Sequence, residues 1–209
     1  LAGIGMVEDS LFREPGMRQA QRQHLKAERL RIAPAARMLA AEAVAISILE
    51  HLPASGGYLA GYWATGGELP LHILQMRLAA NWIWCLPVVM PEKKLGFAPW
   101  RGGDALGSNR YGIPEPMLSA DACLKPEDLH AVIVPVLGFT ADGLRLGMGG
   151  GYYDRSFAFR KHTPAPPLLI GAAYASQEIE ALDAQDWDVR LDAVATDRGW
   201  IDCSPEDSD

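Results

Sequence analysis

At 209 residues, 49% hydrophobic and 22% charged, the chain suits one globular domain with a sizeable core. A net charge of −7 and a pI near 5.2 argue against a broad nucleic-acid-binding face, while leaving room for a local basic pocket that takes a phosphorylated ligand. Cys85, Cys123 and Cys203 have no metal-type spacing and fit reduced thiols in the cytoplasm, and neither a signal peptide nor a membrane span is expected.

Residues 1–16, closing at Pro15–Gly16, read as a disordered extension. From Met17 the pattern is helical and strongly basic, with Arg18, Arg22, Lys26, Arg29 and Arg31. Arg18 and Arg22 are four apart and share a helical face; taken alone they are a solvated basic pair. Residues 35–52 form a second expected helix, with Met38, Val44, Ile48 and Leu52 on its apolar side and breakers at 53–57. Residues 58–64 (YLAGYWA) read as a strand, followed by a turn, Glu68 and a helix over 70–79. By themselves Glu68 is a carboxylate at a helix start and Trp63 is core. Residues 82–90 are a buried strand type with Pro87 near its end or at a bulge, and 95–100 are a short strand carrying two aromatics. A glycine-rich loop then leads to YGIPEP at 111–116, so Trp100, Tyr111 and Glu115 read first as packing.

The densest signal lies at 132–157. An apolar run at 132–137 has the length and branching of a buried strand. A turn at 140–143, Arg145, and Gly147, Gly149, Gly150 and Gly151 around Met148 follow, and Tyr152, Tyr153, Asp154 and Arg155 begin a helix. Glycines this close let backbone N–H groups point into one concavity. A strand, such a loop and a helix start together make an anion cradle, most often for phosphate. Arg145 adds a fork of donors for phosphate oxygens, and Asp154 a hard carboxylate for phosphate-bound Mg²⁺. The loop is neither a P-loop nor a G-x-G-x-x-G fingerprint, and alone it is equally a structural turn. Residues 168–174 and 193–196 read as further strands, 183–192 as acidic, and 201–209 as a disordered acidic tail. Alternating strands and helices predict α/β with a mainly parallel sheet, with the glycine loop beyond the carboxyl end of a strand.

The string RLGMGGGYYDR at 145–155 resembles the signature of the 5-formyltetrahydrofolate cyclo-ligases, also called methenyltetrahydrofolate synthetases. The resemblance extends over 17–200, which it implies is one cyclo-ligase domain. The implied fold is a single three-layer Rossmann-like domain, grouped with sugar-phosphate isomerases and CoA transferases. Family members begin with a basic residue and an arginine four apart that reach the nucleotide phosphates, and Arg18 and Arg22 match them. Glu68 matches a glutamate that contacts the folate's polar edge, and Trp63 a position lining the same pocket. Trp100, Tyr111 and Glu115 fall in a tract that walls the folate site. Gly171, Ala173, Tyr174 and Gln177 match a G-x-A-[YF]-x-x-Q pattern, and Asp188 and Asp192 the two aspartates after it. Asp188 matches a position that joins the Mg²⁺ site with Asp154.

The implied reaction is ATP- and Mg²⁺-dependent closure of 5-formyltetrahydrofolate to 5,10-methenyltetrahydrofolate through a phosphorylated formyl group. The expected ATP set is Arg18, Arg22, Arg145, Gly147, Met148, Gly149, Gly150, Gly151, Tyr152 and Tyr153, with Arg145 catalytic. Tyr153 joins Trp63, Glu68, Trp100, Tyr111 and Glu115 on the folate side. A monomer acting on folate with or without a polyglutamate tail is expected, with no nucleic-acid or membrane partner. The chain departs from the family at Met148 and Gly150, where a basic residue is common, and at Thr140, where aspartate is. The rival readings are a non-catalytic folate- or nucleotide-binding protein, or an isomerase or CoA transferase on the same fold.

Overall fold

A computed structural model describes residues 16–203. In chain order the elements are α1 (Met17–Arg31), α2 (Pro34–His51), β1 (Gly57–Ala60), α3 (His72–Arg77), β2 (Trp82–Val89) and β3 (Leu95–Pro99). A small hairpin of β4 (Leu106–Ser108) and β5 (Pro114–Pro116) precedes β6 (Ala131–Pro135), and a second hairpin pairs β7 (Gly138–Phe139) with β8 (Arg145–Leu146). Then come α4 (Tyr152–Ser156), β9 (Leu168–Ala172), β10 (Ala193–Thr196) and β11 (Gly199–Asp202).

The main sheet has seven strands in the order β11-β10-β9-β6-β1-β2-β3. The five inner strands are parallel, and β3 and β11 pair antiparallel at the edges. Alternation along each strand sorts the core into two layers. Leu59, Ala131, Ile133, Ile170 and Ala195 face α2 and α3, where Val44, Ile48 and Leu74 meet them. Ala60, Val132, Val134, Leu169 and Val194 face the opposite layer with Phe97, Phe139 and Phe157. Burial on both faces is why the inner strands are continuously apolar. The result is the expected mainly parallel α/β sandwich of three layers.

Local differences have local causes. Of the expected apolar side of α2, Val44 and Ile48 face inward as read, joined by Ala41 and Ala45, whereas Met38 is 45% exposed. The inward stripe starts at Arg37, whose guanidinium donates to the carbonyls of Arg29 and Leu30, and Nε to that of Ile32. Orphan carbonyls at the end of α1 are thereby satisfied and the α1–α2 corner is fixed. β1 stops at Ala60, short of the expected strand to 64; the Gly61 N–H still reaches the Cys85 carbonyl at 3.0 Å, and the indole of Trp84 fills the space beside Gly61, where a Cβ would lie 2.1 Å from the ring. Pro87 sits inside β2, paired with Phe97 on β3. Its missing N–H faces the side where β1 has already ended, so no ladder bond is lost. Residues 201–203 are not tail: Ile201 pairs with Val194 and Cys203 is buried. Trp200 and Ile201 alternate between the two layers, which gives β11 its place in the sheet. Of the expected extension over 1–16 and tail over 201–209, residues 1–15 and 204–209 lie outside the described residues.

Candidate active site

The chain runs from β1 outward to β2 and β3, then returns to lay β6 against the other side of β1. The connections after β1 and β6 therefore part in opposite directions, the switch point at which parallel sheets form a crevice. A cavity of about 540 Å³ lies there. Pro135, Val136 and Leu137 after β6 form part of it, Tyr62, Trp63, Thr65 and Glu68 after β1 another part, and the 147–151 loop with Tyr152 and Tyr153 a third. α1 contributes Arg18, Arg22 and Arg29. A wider cavity of about 1000 Å³ shares Arg18, Arg22, Gly149, Gly151, Asp154 and Trp187 with the first, so the two meet at the arginines and the glycine loop.

In the loop, Gly149 (φ 91°) and Gly151 (φ 69°) occupy backbone conformations that other residues resist. Arg22 Nε donates to the Gly147 carbonyl at 2.9 Å and holds the loop against α1. α4 is five residues long, so the expected helix-terminus field is slight and what the loop offers is its separate N–H groups. Met148 is 54% exposed and lines the cavity. Arg155 Nη1 donates to the Gly150 carbonyl at 2.8 Å, bringing a cation to a loop whose own positions 148 and 150 carry none. The sequence placed Arg155 only as part of the helix start.

Each expected metal carboxylate is paired with an arginine. Arg145 Nη2 donates to Asp154 Oδ1 at 2.8 Å, both side chains being largely buried, and the Val189 N–H reaches the same oxygen at 3.3 Å. Arg145 also lies 5.6 Å from the centroid of Tyr153. Arg18 grips Asp188 with both terminal nitrogens, at 2.5 and 3.3 Å, and the Gln185 N–H donates to Asp188 Oδ2 at 2.9 Å. Burial first, and then repulsion from Arg18, lower the pKa of the Arg22 guanidinium. Among the described residues no group of three or more His, Cys, Asp or Glu gathers as a metal site. Two carboxylates lining one cavity nevertheless fit Mg²⁺, which binds through one or two carboxylates plus phosphates and waters. Asp154 suits this best, since both of its contacts fall on Oδ1.

The other end is aromatic. Trp63 lines the cavity at 39% exposure and is backed edge-on by Trp100, 6.2 Å away. Trp100 itself is not in the lining; its Nε1 donates to the Asp104 carbonyl at 3.2 Å. Tyr111 lines the cavity and meets Tyr152 through their hydroxyls at 2.6 Å, with the Arg110 guanidinium bonded to the same Tyr152 oxygen. Glu115 is also outside the lining. Its Oε2 accepts from the Val89 N–H at 2.9 Å and from Asn109 Nδ2 at 3.2 Å. β2 outruns β1, and Glu115 satisfies the N–H left beyond the ladder. Thr140 belongs to the β7–β8 turn, its hydroxyl bonded to Asp142 and to the Leu144 N–H. Glu68 Oε2 accepts from the Thr65 N–H at 2.9 Å, while Oε1 lies 3.9 Å from Arg29 Nη1. Desolvation raises the Glu68 pKa, against opposing pulls from Thr65 and Arg29. Burial likewise pushes the Tyr153 hydroxyl well up.

Arg29 and Tyr62 are cavity residues that sequence reasoning did not single out. Tyr62 left no signal beyond its aromaticity. Arg29 did, because Arg18, Arg22, Leu25 and Arg29 form one stripe at helical spacing.

A family model described as the 5-formyltetrahydrofolate cyclo-ligase family matches residues 15–197. A 5-formyltetrahydrofolate cyclo-ligase of Haemophilus influenzae is 32% identical over 150 residues, spanning 70% of this chain and 78% of that protein. The Escherichia coli K12 protein of the same name is 37% identical over 113 residues, spanning 53% of this chain and 61% of its own length. Among solved structures, Aquifex aeolicus 5,10-methenyltetrahydrofolate synthetase superposes with a TM-score of 0.76 at 28% identity, covering 92% of this chain and 95% of that one. The Mycoplasma pneumoniae synthetase superposes with a TM-score of 0.65 at 21% identity, a likeness of fold, covering 86% and 98%.

Proposed function

Because the chain belongs to the 5-formyltetrahydrofolate cyclo-ligase family, we propose that it closes 5-formyltetrahydrofolate to 5,10-methenyltetrahydrofolate at the expense of ATP, releasing ADP and phosphate. The supporting observation is that two cavities meet at Arg18, Arg22 and the glycine loop. A nucleotide in the wider one can present its γ-phosphate to a group held among the aromatics of the other.

A formamide carbon is a poor electrophile and its oxygen a poor leaving group, so the oxygen is activated first. The formyl oxygen attacks the γ-phosphorus, the bond to the β,γ-bridging oxygen breaks, and ADP departs. N10 then adds to the iminium carbon and loses its proton. The C–O bond breaks, and the formyl oxygen leaves in inorganic phosphate as the ring closes. Such a transfer asks for alignment and charge neutralisation, with no covalent nucleophile on the protein. We assign Arg145, largely buried beside the loop, to the transferring phosphoryl group, and Arg18, Arg22 and the N–H groups of 147–151 to the remaining phosphate oxygens. Mg²⁺ carried in with the nucleotide would offset the charge of the β- and γ-phosphates, and we assign Asp154 and Asp188 to hold it. Glu68, Trp63, Tyr111 and Tyr153 form the folate side, their aromatic surfaces excluding the water that would hydrolyse an activated formyl group. Trp100 and Glu115 support that side from behind. The reading takes the protein as a cytoplasmic monomer that accepts folate with or without a polyglutamate tail. Among the described residues no single helix is long and apolar enough to cross a membrane.

The test is absorbance at the methenyl-folate band when protein, 5-formyltetrahydrofolate and Mg²⁺ are mixed with and without ATP. A rise that requires ATP is expected. No rise with the folate bound would replace the proposal by a binding protein, and no rise without binding by another enzyme of this fold.

A further inference from the structure

We infer that Arg29 sets ligand specificity: paired with Glu68, it reads the amide edge of a fused pyrimidinone ring, its guanidinium donating to the exocyclic 4-oxo oxygen. The inference deepens the functional reading above and rests on it.

Arg29 lies on the same stripe of α1 as Arg18 and Arg22 but deeper. Its side chain is 2% exposed, against 19% for Arg18. For a cation so enclosed its contacts are few. Nη1 reaches the Val136 carbonyl only at 3.5 Å and Glu68 Oε1 at 3.9 Å, and Nε is buried without a partner. A guanidinium stays protonated in a protein and carries five donors, and donors buried without acceptors are costly. Of the polar groups around it, the Tyr174 hydroxyl is itself buried without a hydrogen-bond partner and makes no hydrogen bond to the guanidinium, and two others are committed elsewhere. The Tyr62 hydroxyl donates to the Leu69 carbonyl, and the Gln177 amide nitrogen donates to the carbonyls of Val136 and Leu137. Arg29 lines the cavity, so a ligand there can supply the acceptors that the protein does not.

Glu68 has the opposite need. Oε2 takes the N–H and hydroxyl of Thr65, whereas Oε1 has only the long contact to Arg29. The cavity therefore sets a carboxylate oxygen short of donors beside a guanidinium short of acceptors. A fused pyrimidinone carries, in sequence along one edge, a 2-amino group, N3–H and a 4-oxo oxygen. Glu68 accepts from the first two and Arg29 donates to the third. A ring with 4-amino in place of 4-oxo would turn donors against donors.

The test is equilibrium binding, without ATP, of 5-formyltetrahydrofolate and of its 4-amino-4-deoxy counterpart to the whole protein and to Arg29→Met and Arg29→Lys. Arg29→Met is expected to lose roughly ten- to a hundredfold in affinity for the oxo ligand and to lose its preference over the amino one. Affinity for ATP, held further out along α1, should stay within about twofold. Arg29→Lys keeps one donor but not the fork, and should cut the oxo-to-amino preference part way. An Arg29 that only supports the fold would weaken both ligands alike and leave their ratio unchanged, and that result overturns the inference. If Arg29→Met does not fold, a full wild-type ratio in Arg29→Lys overturns it equally. A wild-type protein that binds neither ligand removes the functional reading, and the Arg29 assignment with it.

Discussion

Arg145 and Asp154 show how far one residue's two roles can be separated. Their 2.8 Å pair is largely buried, so truncating Arg145 strands a carboxylate as well as removing the proposed phosphate donor. We predict that Arg145→Ala costs about 3–5 kcal/mol of stability, the usual penalty for breaking a buried pair from one side. Turnover should fall by at least roughly 10²-fold, with 5-formyltetrahydrofolate binding mostly kept. Denaturant melts, single-turnover rates and a folate titration measure the three effects, and parallel loss of rate and folate binding would make Arg145 purely structural. Glu68 gives a pH prediction. Desolvation raises its folded-state pKa, so the charged form is the disfavoured one. Stability from this group is complete below the ordinary carboxylate range and is lost as pH rises through the raised value. Glu68→Gln should therefore melt higher than wild type near pH 7, with the difference vanishing below about pH 4. It should also bind folate more weakly. A melting gain independent of pH would contradict this account.

At the scale of elements, α1 brings three arginines to the cavity yet buries little of its own. Leu25 and Arg29 are its buried residues, and Leu25 packs with Leu137, Leu144, Leu146 and Leu182. Gly138 leaves room for it, since a Cβ there would lie 2.7 Å from a Leu25 methyl. Leu25→Ala should cost about 2–5 kcal/mol locally. It should raise amide exchange along α1 and weaken ATP without altering an ATP contact; unchanged exchange with weakened ATP would refute this. The existence and order of the helices and inner strands were legible because their periodicities are long and their burial two-sided. The glycine loop that lines the candidate site was legible for a related reason: the motif is local, and Gly149 and Gly151 are demanded by backbone geometry. What the sequence left unread depends on distant partners. Glu115 read first as packing, and only the family resemblance set it in the wall of the folate site; nothing nearby in sequence reveals that β2 outruns β1 and leaves Glu115 the Val89 N–H to satisfy. The stripe 18, 22, 25, 29 was visible, but only the fold tells which side of a basic helix is enclosed. The length of α4 was likewise unreadable, since Tyr152 to Arg160 have no breaker, yet the α-helix ends at Ser156 and a 3₁₀ turn follows from Ala158.

For the whole molecule, the wider cavity joins elements far apart in sequence: α1, the loop after β8 and the 181–187 segment all border it, so a nucleotide held there as proposed would link them. Ligand that binds only the folded form stabilises by mass action. MgATP at about a hundred times its dissociation constant should raise the melting temperature by roughly 5–10 °C for a domain of this size. ADP without Mg²⁺ should do less, and equal shifts would argue against the carboxylate assignments.

The Arg18–Asp188 and Arg145–Asp154 pairs have one more consequence. An empty pocket of bare arginines would recruit mobile anions from solution and surrender them on binding, and its affinity would drop steeply as salt rises. Here the protein supplies its own counter-ions. On the proposed assignments, an incoming nucleotide would trade partners with Asp188 and Asp154, and the released carboxylates would be the very groups free to take its metal. Affinity should then respond to Mg²⁺ more sharply than to sodium chloride. A basic pocket can in this way persist inside an acidic protein without acting as a general trap for anions.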